Sequence, residues 1–91
     1  MKKIVRIGRD PGNDIVLLQA GVSQQHAQIE LLDRDGPRFL LRDLGSTNGT
    51  FIDGRRIEEC EIGKDARITI GNVALPTGKL LAHFGLDGGA G

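Results

Sequence analysis

The chain is 91 residues long and 9.8 kDa, which leaves room for one compact core and excludes a two-domain enzyme. Hydrophobic residues make up 38% of it and glycine contributes 14 positions, enough apolar material for a globular fold. Its 12 Lys and Arg balance 12 Asp and Glu, so no global field steers the protein toward nucleic acid or an anionic membrane, and any anion site has to be local.

Short apolar or period-two runs follow one another along the chain, at residues 4–7, 15–17, 27–32, 39–41, 50–52, 68–70, 73–75 and 80–84. None keeps a helical stripe for three turns. Turn-forming clusters separate them: Asp10-Pro11-Gly12-Asn13, Asp33-Arg34-Asp35-Gly36-Pro37, Asn48-Gly49, Asp53-Gly54, Gly63-Lys64-Asp65, Gly71-Asn72 and Pro76-Thr77-Gly78. Many short strands at this spacing predict an antiparallel β-sandwich over residues 1–84. Asp53-Gly54 predicts a two-residue hairpin turn, because both residues tolerate positive φ. Residues 85–91 offer too few side chains to bury and predict a glycine-rich tail or the start of a linker, so the chain is expected to be a module of a longer protein.

Residues 1–10 carry Lys2, Lys3, Arg6 and Arg9 against Asp10 alone, which predicts a small basic patch at one edge. Cys60 is a single cysteine without zinc-type spacing and reads as a small packed hydrophobe in a reducing compartment. No apolar run reaches bilayer length, and Met1-Lys2-Lys3 does not lead into a signal-peptide core, so a cytoplasmic location is expected.

Three polar segments carry candidate chemistry. In Asp43-Leu44-Gly45-Ser46-Thr47-Asn48-Gly49-Thr50, glycines let the backbone turn with converging N–H groups while hydroxyls and an amide add donors. Such a loop suits an oxyanion or another peptide's backbone; taken alone, it reads first as a tight turn whose hydroxyls satisfy its own backbone. In Gly21-Val22-Ser23-Gln24-Gln25-His26-Ala27, Ser23 and His26 have the spacing of a nucleophile and its base. No nucleophile elbow surrounds Ser23, however, and His26 reads as a histidine hydrogen-bonded inside the fold. No enzymatic activity is expected. In Gly8-Arg9, the rigid five-donor fork of Arg9 stands at a loop mouth, fit for bidentate capture of phosphate or carboxylate unless it is solvated or paired with Asp10 or Asp14. Nucleotide-cradling glycine motifs are absent. Arg55-Arg56 is followed by Glu58, Glu59 and Glu61, which largely cancel it, and reads as a solvated, charge-protected edge.

In order, Gly8-Arg9, Val22-Ser23-x-x-His26-Ala27, Asp43 to Phe51, the Asp53-Gly54 hairpin and Ile68-x-Ile70-Gly71 resemble the forkhead-associated domain across about residues 4–75. The resemblance implies an all-β antiparallel sandwich of about eleven strands with little or no helix, whose loops grip a phosphothreonine peptide. It implies that Arg9 contacts phosphate, that Ser23 hydrogen-bonds a phosphate oxygen, that Thr47 reaches the phosphate and that Asn48 holds the peptide backbone. Gln24 belongs to the same contact set but replaces the basic residue of many members, which implies weaker binding. The resemblance further implies that Gly8, His26, Gly45, Ser46 and Gly49 shape the loops. Asp53 replaces a frequent Asn without cost to the turn. The implied partner is a phosphothreonine-containing protein or peptide made by an upstream Ser/Thr kinase, with no cofactor, metal, nucleic acid or membrane involved, and the module is expected to be monomeric. The alternative is a phosphate-independent docking or oligomerisation domain on the same fold, motivated by Gln24.

Overall fold

A computed structural model of the chain describes residues 3–86. In chain order its elements are β1 (Ile4–Gly8), β2 (Ile15–Val16), β3 (Ala27–Asp33), β4 (Arg38–Asp43), β5 (Thr50–Ile52), β6 (Arg55–Ile57), β7 (Glu59–Gly63), β8 (Ile68–Ile70), β9 (Val73–Leu75) and α1 (Thr77–His83). The strands form two sheets, ordered β2-β1-β3-β4-β7 and β6-β5-β8-β9. All pairings are antiparallel except β1 with β2.

Strict alternation makes the sandwich. Val5 and Ile7 on β1, Ala27, Ile29 and Leu31 on β3, and Phe39 and Leu41 on β4 point inward, while Arg6, Gln28, Glu30 and Arg42 face out. The second sheet presents Ile52, Ile68, Ile70 and Leu75 to the same core. A one-residue slip in any strand would turn these side chains to water, so the pattern itself sets the register. The β5–β6 hairpin closes through Asp53 at φ 50° and Gly54 at φ 84°, with Ile52 opposite Arg55, the geometry expected of a two-residue turn.

The β-sandwich is as the sequence predicts, with nine strands among the described residues where the resemblance implies about eleven, and one short helix. Residues 80–84, read from their apolar run alongside the strands, lie in and just after α1. Leu80 and Phe84 are four apart and both fully buried, which is helical and not strand spacing. Phe84 rests its ring on Phe39 at a centroid distance of 5.3 Å, and Arg34 Nη2 donates to its carbonyl at 3.1 Å. A strand absent from the sequence reading, β7, pairs along β4 with Ile62 buried and Cys60 half-buried against the core. Its Glu59 and Glu61 face out and pair with Arg42 and Arg38 across the strands. Both β6 and β7 are edge strands, so the charged stretch 55–61 does lie on edges.

Of the tail expected over residues 85–91, Leu86 folds back, its N–H donating to Leu81 O at 2.7 Å and its side chain packing half-buried on the core. Residues 87–91 lie outside the described residues, as do Met1 and Lys2 of the basic patch. No helix among the described residues is long and apolar enough to cross a membrane.

Antiparallel pairing brings the end of β1, the start of β3, the end of β4 and the start of β5 to one rim, where the β8–β9 turn joins them through Gly71 N–H donating to Gly49 O at 2.8 Å. The helix closes the opposite end. Phe84→Ala removes one of the two packed rings there and should lower unfolding free energy by about 3 kcal/mol, read as a reduced urea midpoint with unchanged m-value.

Candidate functional site

Asp43, the last residue of β4, organises the loop that follows. Its Oδ2 accepts the N–H groups of Gly45 and Ser46, each at 3.0 Å, and its Oδ1 accepts the hydroxyls of Ser46 at 2.5 Å and Thr50 at 2.7 Å. Ser46 Oγ in turn accepts Gly49 N–H at 3.0 Å. Burial pulls the Asp43 carboxyl up, but the donated hydroxyls and amides together outweigh it and hold the group below its ordinary value of 3.8. With Ser46 and Thr50 turned inward, the side chains left exposed at the crest are those of Thr47 and Asn48.

His26 ties this loop to the preceding one. The residue is fully buried; its N–H donates to Ile7 O at 2.9 Å and its carbonyl accepts Leu44 N–H at 2.9 Å. Its Nδ1 accepts Ser23 N–H at 3.0 Å, which leaves the ring proton on Nε2, donated to Gly49 O at 2.8 Å. Both ring nitrogens are therefore committed to backbone. Ser23 Oγ accepts Thr47 N–H at 3.1 Å instead of facing an imidazole, so no nucleophile–base pair forms.

The third loop is pressed against the second. A methyl group at Gly8 would lie 2.1 Å from Gln24 O and 2.7 Å from Asn13 Nδ2, an approach only glycine permits. Arg9 N–H donates to Ser23 O at 2.9 Å and Asp10 N–H to Gln24 O at 3.2 Å. Asn13, 8% exposed, spans the gap: its Nδ2 donates to Asp10 O at 3.0 Å and Gln24 O at 2.8 Å. Asp10 and Asp14 accept backbone N–H groups of Gly12 and Arg6. The Arg9 guanidinium pairs with neither, and its Nε is buried with no acceptor among the described residues.

Arg9, Ser23, Thr47 and Asn48 thus stand on three loops joined through Ser23, with Asn48 Nδ2 donating to Gly21 O at 3.0 Å. Gln24 contributes its carbonyl to loop packing and leaves its side chain exposed. The sequence reading missed Asn13, whose Asn-Asp turn context gave no sign of burial. It also missed Asp43 as an organiser, although an Asp followed at three and seven residues by hydroxyls is a local signal for such a turn. Arg56, read from sequence as part of a solvated edge, is exposed on edge strand β6, and its guanidinium also lies against Gly49.

A family model described as FHA domain matches residues 5–71. The ABC transporter ATP-binding/permease protein Rv1747 of Mycobacterium tuberculosis is 39% identical over 78% of this chain, which spans 8% of that protein. The chain covers less than half the length of the first curated relatives it matches. Among solved structures, the FhaA FHA domain complexed with the intracellular domain of Rv3910 is 31% identical with a TM-score of 0.71, covering 81% of this chain and 78% of that one. Mycobacterium tuberculosis EmbR in complex with a low affinity phosphopeptide is 36% identical with a TM-score of 0.69, covering 79% of this chain and 18% of that one.

Because folding lowers the Asp43 pKa, the stability it contributes is fully present above about pH 4 and lost as pH falls through the folded-state value. Asp43→Ala should cost about 3 kcal/mol at pH 7. In urea titrations the gap between this variant and the wild type should narrow below about pH 4; a gap constant down to pH 2 would contradict the assignment.

Proposed function

We propose that this chain, which belongs to the forkhead-associated (FHA) domain family, is a phosphothreonine-dependent peptide recognition module of Ser/Thr-kinase signalling. The observation that carries this reading is Arg9: a guanidinium at the rim, unpaired with any described carboxylate, whose Nε is buried and lacks an acceptor. An orphaned buried donor costs about 1–3 kcal/mol, a cost that an incoming anion removes. A phosphothreonine brings roughly −1.5 to −2 charge and three strong acceptor oxygens.

The neighbouring groups suit the same ligand. Ser23 Oγ already accepts Thr47 N–H, so its own proton is left to donate to a phosphate oxygen. The Thr47 hydroxyl lies exposed beside it. Asn48, oriented by its bond to Gly21 O, keeps its Oδ1 to accept an N–H of the bound peptide. Gln24 offers a neutral donor where a cation would bind more strongly, so affinity is set mainly by Arg9. His26 serves by immobilising Ser23 and Gly49 and takes no proton from a ligand. Binding of a phosphopeptide by EmbR, 36% identical, supports the assignment. In this reading the module acts in the cytoplasm as a monomer, its partner is a phosphorylated protein, and no cofactor is needed.

Fluorescence anisotropy against a phosphothreonine peptide library and its unphosphorylated twin tests the reading. Only the phosphorylated pool should bind. Arg9→Ala should weaken binding about 100-fold, the effect of losing roughly 3 kcal/mol of charge-assisted hydrogen bonding, with an unchanged circular dichroism spectrum. Equal binding of both pools would instead favour phosphate-independent docking on the same fold.

A further inference from the structure

We infer that Arg56 forms a second anion subsite on the rim, one that takes the carboxylate of an Asp or Glu in the bound peptide beside the phosphothreonine. The inference rests on the phosphopeptide reading of the Arg9 site and adds to it a residue that selects among phosphopeptides.

Three observations place the subsite. The first is proximity: Arg56 belongs to β6, opposite Phe51 on β5, and its side chain crosses toward the loop. A methyl group at Gly49 would lie 2.8 Å from Arg56 Nε and 3.2 Å from its Cζ. Gly49 also holds φ 90°, so both backbone conformation and the arginine overhead require its lack of a side chain. The guanidinium therefore sits next to Asn48, the residue proposed to hold the peptide backbone.

The second observation is charge. In sequence, Glu58, Glu59 and Glu61 offset Arg55-Arg56; in space none of them forms an ion pair with Arg56. Glu59 pairs with Arg42 at 2.8 Å and Glu61 pairs with Arg38, because the β4–β7 register sets Glu59 opposite Arg42. Glu58 forms no ion pair with Arg56. The third observation is availability: Arg56 is exposed and makes no hydrogen bond or ion pair among the described residues. An unpaired planar guanidinium recognises a carboxylate through paired N–H groups.

The test is a set of phosphothreonine peptides with alanine flanks, each carrying one Asp within three positions on either side, titrated into the 91-residue chain. Wild type should prefer Asp over Ala about fivefold at one or two adjacent positions, the strength of a partly exposed charge pair. Arg56→Ala should erase that preference and leave affinity for the all-alanine phosphopeptide unchanged, and Arg56→Glu should prefer Lys there. Arg55→Ala, its neighbour on the opposite face of the strand, should keep the wild-type preference. Wild-type binding without any acidic preference, or a preference that survives Arg56→Ala, overturns the subsite alone. A uniform loss across all peptides in Arg56→Ala would place Arg56 on the phosphate and also overturn it. If a folded wild type binds no phosphopeptide, the underlying reading falls and the subsite with it.

Discussion

One buried imidazole holds the rim in shape. The ring of His26 accepts the Ser23 N–H on one side and donates to Gly49 O on the other, while its own backbone joins β1 to the start of the loop after β4. Loops are ordinarily the mobile part of a sandwich, because their backbone groups are free to bond water. Here two of them share a side chain that has no access to water, so neither can move without stranding a polar group in the interior. Ser23 and Thr47 then lock together directly, Thr47 N–H on Ser23 Oγ. Loops tied in this way keep Ser23 and Thr47 in one arrangement, which lowers the ordering cost that any ligand at this rim would meet.

Most of the fold was legible because it depends on local rules. Alternation of apolar and polar residues marks β1, β3 and β8, short apolar runs mark β4, β5 and β9, and Asp53-Gly54 allows little except a tight hairpin. The failures have the same physical origin. Glu59-Cys60-Glu61-Ile62 alternates with a half-buried cysteine as one inward residue, so its strand character is drowned by charge until Arg38 and Arg42 on β4 are seen to answer those charges. The run at 80–84 mixes one fully buried leucine, a half-buried one and an exposed alanine and histidine ahead of Phe84. A run this short is ambiguous between the two periodicities, and Phe39, 45 positions away in the sequence, supplies the ring that fits the helical one.

The candidate site divides along the same line. Residues at the crest announce themselves by chemistry: an arginine after glycine, a serine before a strand, Thr-Asn in a glycine-rich turn. Residues that hold the crest in place do so through contacts between distant segments. Asn13 reaches Gln24 and His26 reaches Gly49, and no spacing rule relates those positions. Asp43 is intermediate: its turn is local, but its decisive role, turning Ser46 and Thr50 inward so that Thr47 and Asn48 face out, emerges only from the full set of four donors.

A chain with no net charge leaves Arg9 and Arg56 without ionic partners among the described residues by the way it assigns its carboxylates. Around the rim, Asp10, Asp14 and Asp43 all accept backbone N–H groups within or beside their own loops, and Glu59 and Glu61 are held by arginines of the neighbouring strand. Each acid satisfied in this way is one fewer counter-ion for Arg9 and Arg56. Arg9 and Arg56 are therefore left without a carboxylate partner among the described residues even though the chain as a whole is neutral, and with a Debye length of about 8 Å at physiological ionic strength only nearby charges act on either guanidinium. Composition alone could not show this, because neutrality is a sum and recognition depends on which pairs are made. A free acid placed beside Arg9 in exchange for a distant one would leave the net charge unchanged while giving that guanidinium the carboxylate partner it now lacks.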